Sequence, residues 1–180
     1  MSQYMQSSRV SQWLFGDTQM AGLWLIVRLY VGWQWIEAGY EKVISSTWVG
    51  ASAGAPLGGF LKGALLKTTG PHPDVYDWYA WFLQHAVAPY EVFWSNLVAW
   101  GELLVGIALI LGFVTGIAAF FGSFMNINYL LAGTVSTNPV LLVLGIGLML
   151  AWRIAGYFGA DRYVLPRLFK RNKKMYTANI

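Results

Sequence analysis

Apolar residues fall in four long runs, at residues 20–44, 92–113, 116–135 and 140–158. Each is close to the roughly 20 residues that an α-helix needs to cross a bilayer. The pattern predicts an all-α fold: an integral membrane four-helix bundle forming one domain over 1–180, with an extracytoplasmic loop at 45–90 that contains short interfacial helices. Residues 45–56 are small and polar and read as irregular. Leu57, Phe60, Leu61 and Leu65 then share one helical face, with Lys62 and Lys67 off it, which predicts a short helix lying on the membrane. The run Thr69-Gly70-Pro71-His72-Pro73 breaks it. A second helix is predicted over 75–87, with Asp74 as its N-cap and an end before Pro89. Its Tyr76, Trp78, Tyr79, Trp81 and Phe82 suit the headgroup layer, so the loop reads as a lid. Before Met20 the chain reads as a polar arm.

Composition narrows the class further. Apolar residues make up 57% and charged residues 11% of the chain, too few polar groups to cover a soluble globule of this size. With no cysteine in the chain, disulfides, thiol relays and Cys-ligated metal centres are excluded. The net charge of +4 is not a nucleic-acid patch. Arg162, Arg167, Lys170, Arg171, Lys173 and Lys174 all lie in the tail at 159–180 and mark that side as cytoplasmic. An even number of spans places both termini there, in a multi-pass protein of the cell (plasma) membrane. The arm before the first run carries only Arg9 and Asp17 as charges, and that run is too long for the core of a cleaved signal, so the first span is expected to be an uncleaved anchor.

Ionisable and amide residues inside the runs are the candidates for function, because a charge at bilayer depth costs about 2.5–3.5 kcal/mol on insertion scales and by default faces a partner or a polar pocket. The intramembrane polar set is Arg28, Glu102, Asn126, Asn128 and Arg153. Counting helical rise from the span ends places Arg28 within reach of Glu102, and an Arg28–Glu102 pair is the expected arrangement, with Asn126 near enough to bond the carboxylate. A register-fixing ion pair would look the same from the sequence. Arg153, close to the tail-side interface, reads as a snorkelling side chain or a ligand contact. Candidates for a quinone or substrate pocket are Trp33, Trp35, Glu37, Lys42, Trp78 and Trp81. His72 and His85 lack a metal-ligand spacing, and no metal, haem or nucleotide site is evident. No catalytic residue is assigned.

Several of these segments, in order, resemble the DoxX family: Arg28-Leu29-Tyr30, Gly32-Trp33, Glu37-Ala38-Gly39 and Lys42; then Gly101-Glu102-Leu103, Gly106, Leu109 and Leu111-Gly112-Phe113; then Met125-Asn126, Ser136-Thr137-Asn138-Pro139, Gly156-Tyr157 and Asp161-Arg162-Tyr163. The resemblance covers residues 24–166. Gly116 departs from it, since many relatives carry a basic residue there. The long outer segment is similar to the DoxD branch, which includes the small subunit of thiosulfate:quinone oxidoreductase.

That resemblance implies a membrane subunit of a quinone-linked oxidoreductase, with quinone as the cofactor and a DoxA-like or other redox partner subunit, in the lipid bilayer and with homo-oligomerisation open. Residue chemistry alone leaves two other readings: a non-catalytic membrane scaffold or anchor for a soluble redox enzyme, and a small-solute or anion carrier using the arginines. Fold does not choose among them.

Overall fold

The structure, a computed structural model, describes residues 8–168. Among these it is helical throughout and has no strand. The stretch before Met20 is not merely a polar arm: it contains α1 (Arg9–Gly16), started by Ser8, whose hydroxyl accepts from the Ser11 amide at 3.1 Å. That bond satisfies one of the orphan donors of the first turn. α2 (Ala21–Val43) follows, then α3 (Ala55–Leu65) after a run of turns. α4 (Asp77–Phe82) begins later than expected, capped by Tyr76 with no side-chain bond, so Asp74 is not the N-cap. The predicted stop before Pro89 is also absent. A π-turn, Leu83–Val87, and a 3-10 turn, Ala88–Tyr90, carry the chain straight into α5 (Glu91–Leu111). Pro89 has no amide to donate, and the widened turn before it takes up the missing bond without ending the helix.

α6 (Thr115–Leu131) and α7 (Asn138–Leu150) are shorter than their apolar runs. α6 ends where Ala132 and the left-handed Gly133 turn the chain, and α7 gives way at Ala151 to the brief α8 (Trp152–Ala155). α9 (Asp161–Leu168) closes the described chain. Lys170, Arg171, Lys173 and Lys174, on which much of the predicted topology rests, lie outside the described residues.

α2 packs along α5, and α6 along α7, with α5 against α6 and α2 against α7 completing the ring. Small residues set the α2–α5 seam. Gly39 lies against the backbone of Glu102 and Leu103, Gly106 against Ile36 and Gly32, and Gly32 against Ile110. The two helices are antiparallel in that register, so the Gly39 end of α2 meets the middle of α5. The main core lies between the helices around Trp24, Val31, Trp35, Leu109 and Leu148. A second core at the other end joins α3 and α4 to the bundle through Leu57, Leu61, Val75, Tyr79, Leu83, Val87 and Ala132. We call this the lid end, and the opposite one, where α8 and α9 sit, the tail end.

The outside of the bundle is apolar. Ile26, Leu29, Trp33, Leu104, Ile107, Ile117, Phe120, Val143 and Leu150 are all exposed. One helical run among the described residues, Asp77–Leu111, is both long and apolar enough to cross a bilayer; α7 is apolar but shorter. α2 has the length but carries Arg28, Glu37, Glu41 and Lys42.

Candidate functional site

Glu102 is the centre of the lid-end chemistry. It sits on α5 opposite Gly39, where the lack of a side chain on α2 lets the helices close, and it is only 2% exposed. Its Oε2 accepts from Lys42 Nζ at 2.6 Å and its Oε1 accepts from the Tyr129 hydroxyl at 2.5 Å. Both carboxylate oxygens are therefore occupied by charge-assisted bonds, the stronger kind in a dry site. Lys42 also donates to the Ala38 carbonyl at 3.3 Å and lies 5.3 Å from the ring of Trp48. Its side chain remains 21% exposed, so this cation touches both the buried carboxylate and the lid-end surface.

The expected Arg28–Glu102 pair does not form. Arg28 lies at the tail end, level with Gly112, and the distance from Arg28 to Gly39 along α2 is about 16 Å at a rise of about 1.5 Å per residue. Span ends were a poor ruler, because the glycine seam and not the ends of the runs sets the register. Arg28 is buried between Gly112 and Gly159 and donates through Nη2 to the Phe158 carbonyl at 3.2 Å. Beside it, buried Asp161 accepts from the amides of Val114 at 2.6 Å and Thr115 at 2.8 Å, holding the start of α6. This cluster ties the α5–α6 turn to α8 and α9.

The remaining intramembrane candidates separate. Asn126 is fully buried, and its amide has no protein partner. Asn128 accepts from the Tyr79 hydroxyl at 3.0 Å and donates to the Phe124 carbonyl at 2.8 Å. Arg153 is exposed and lies over the ring of Trp152, 5.2 Å from its centroid.

A cavity of about 440 Å³ lies beneath the lid, between α5 and α6. Leu57, Phe60 and Leu61 of α3, with Tyr79, Phe82, Leu83 and Val87, form its roof. Trp94, Leu97, Val98, Gly101, Leu104 and Val105 form one wall, and Phe121, Phe124, Met125, Asn128 and Tyr129 the other. Leu57, Leu61, Tyr79, Leu83, Val87 and Val105 are buried and most of the remaining lining is half-buried, whereas Leu97, Leu104, Phe121 and Phe124 are exposed. The cavity thus opens sideways through the apolar flank. The lining residues that carry polar side-chain groups are Tyr79, Trp94, Asn128 and Tyr129, the Trp94 indole N–H donating to the Ala86 carbonyl at 2.9 Å. An apolar pocket with a few convergent polar groups is the usual form of a small-molecule site.

None of the six predicted pocket residues lines this cavity. Trp33, Trp78 and Trp81 are exposed on the flank and lid, and Trp81 stacks on His85 with centroids 4.9 Å apart. Glu37 is exposed, and Trp35 is a core residue that packs across Gly122. Lys42 reaches the cavity only through Glu102 and Tyr129. Tyr129 was the residue missed. Its spacing of three from Asn126 puts both near one helical face, which was the available signal.

A comparison with protein families matches residues 23–179 to the family described as TQO small subunit DoxD. Neither the curated proteins nor the solved structures yield a match. With nearly the whole length matched, the chain belongs to the DoxD family.

Proposed function

We propose that this protein is a four-span integral membrane subunit of a quinone-linked oxidoreductase of the thiosulfate:quinone type, in the cell membrane with both termini cytoplasmic. The observation that carries the reading is the cavity of about 440 Å³, open through an apolar flank and lined by few polar residues, among them Tyr79, Asn128 and Tyr129. A quinone ring and its tail need apolar walls, lateral access from lipid and hydrogen-bonding groups at one end, and this cavity supplies all three.

Membrane crossing is supported by the apolar exterior and by the long Asp77–Leu111 run. α2 can cross as well: Arg28 and Lys42 are held by protein partners at opposite ends of the helix, and the exposed Glu37 and Glu41 lie in its last two turns at the lid end. When bound, a quinone supplies the capacity to take up two electrons and two protons at its ring oxygens. The protein's part is to seat the ring under Phe60 and Phe82, to exclude water, and to present hydroxyls at one end. On this reading thiosulfate is the electron donor and a DoxA-like subunit is the redox partner.

Protein purified in native lipid should retain quinone after organic extraction, above the lipid background. A short-chain benzoquinone should raise its melting temperature, and Gly101→Phe, which fills the cavity beside Met125, should abolish that shift. No enrichment together with no shift would leave the anchor reading in its place.

A further inference from the structure

We propose that Lys42, Glu102 and Tyr129 form a proton relay between the lid-end surface and the cavity, an inference that rests on the quinone reading above. The chain of contacts is unbroken. Lys42, 21% exposed, donates to one oxygen of Glu102 at 2.6 Å, and Tyr129, a wall residue of the cavity, donates to the other at 2.5 Å. Hops of that length are within the range for direct proton transfer.

The alternative, a pair that only fixes helix register, explains Lys42–Glu102 but not the third member. An ion pair needs one oxygen of the carboxylate. Here the second accepts from the phenol of Tyr129, a residue that lines the cavity. Tyr79, the other wall phenol, has no such backing: its hydroxyl donates to Asn128 at 3.0 Å, and no ionisable side chain is bonded behind that amide. Among the cavity-lining residues, Tyr129 is therefore the one joined to titratable groups.

The proton balance closes on the three side chains. The O–H bond of Tyr129 breaks as a proton passes to a ligand oxygen in the cavity. The Lys42 ammonium passes a proton to the Glu102 carboxylate, the protonated carboxyl group turns and gives it to the Tyr129 oxygen, and the Lys42 amine takes one from solvent at the lid end. Each side chain ends as it began after one proton has passed, so two passes serve one two-electron reduction. Electrons come from thiosulfate in the proposed reaction and from an electrode in the test.

The full chain is reconstituted in lipid films with a short-chain benzoquinone on an infrared-transparent electrode, and redox difference spectra are recorded alongside proton uptake from a pH indicator. Wild-type protein should show a carboxyl band and a tyrosine band that change with quinone reduction. Glu102→Gln should remove the first and Tyr129→Phe the second, with proton uptake slowed about 100-fold in each, within the usual worth of a positioned acid or base. Both variants keep side-chain volume, and the benzoquinone-induced rise in melting temperature shows whether each still folds and binds. If the variants bind and the bands and uptake rate match wild type, the relay is wrong while the quinone reading stands. If wild-type protein shows no benzoquinone-induced melting shift, the quinone reading falls and the relay with it.

Discussion

Gly106→Ala tests the α2–α5 seam on which the placement of Glu102 depends. A Cβ built at Gly106 lies 2.5 Å from the Ile36 amide nitrogen, 2.7 Å from its Cγ1 and 2.9 Å from the Gly32 carbonyl oxygen. Comfortable carbon contacts lie at about 3.5–4.0 Å, so α2 and α5 must part locally by about 1 Å. Two of those three neighbours are backbone atoms, and no rotamer change relieves them. Overpacking of this kind costs about 1–3 kcal/mol, offset by about 0.5–1 kcal/mol because alanine is the better helix former. The net loss is about 1–2 kcal/mol. At about 2–4 °C per kcal/mol for a chain of this size, the melting temperature should fall by about 2–8 °C. The control is Gly59→Ala in α3, where a Cβ meets nothing within 4 Å and the change should be neutral or slightly stabilising. Thermal unfolding in one detergent, followed by helical circular dichroism, compares the two. A Gly106→Ala protein that melts with or above wild type would falsify the seam.

Lys42→Leu should cost more than Glu102→Leu, about 3–5 against 1–3 kcal/mol, because Glu102 cannot reach water when stranded whereas the partly exposed Lys42 can swing out; the double variant should recover much of the loss, and additive losses in a double-mutant cycle would refute the contact. Asp161→Ala removes the acceptor of two α6 amides and should lower stability by about 1–3 kcal/mol, measured by denaturant titration. Val114→Gly should restore part of that, since Val114 is held at φ 44°, a left-handed backbone costly for a branched residue. Tyr79→Phe frees Asn128 from the lid and should speed amide hydrogen exchange in α4 several-fold, with exchange in α7 unchanged. Reporter fusions at Ser2 and after Lys174 should read cytoplasmic and a tag near Gly54 should read outside; opposite labelling at either terminus would sink the four-span reading.

The helical class and the approximate α2 and α5 boundaries were legible because the apolar runs end close to them, with Gly112 at φ 62° turning the chain after α5. Polar partners were not. Depth along a span is readable from its own ends, but Lys42 meets Glu102 only because Gly39 lies against Leu103, a contact between helices that no single run encodes. The cavity was misread for a related reason. Tryptophans are conspicuous in the sequence, yet Trp33, Trp78 and Trp81 face outward, while Phe60, Phe82 and Phe121 line the cavity. Lid residues and wall residues look alike until α3 and α4 are folded over α5.

On the four-span reading proposed above, the order in which the partners of Glu102 are synthesised bears on how the chain is built into a bilayer. Lys42 comes first, then Glu102, and Tyr129 only afterwards. A carboxylate entering lipid alone would face the full insertion penalty, but α2 is already made when α5 emerges, and its cation waits near the depth that Glu102 must reach. On that reading α2 and α5 are best inserted as a pair, joined by the Lys42–Glu102 contact. Tyr129 then arrives on α6 to take the second oxygen. Chains cut after residue 113 should hold α5 firmly in the membrane, and Lys42→Leu should weaken that hold before any later helix exists.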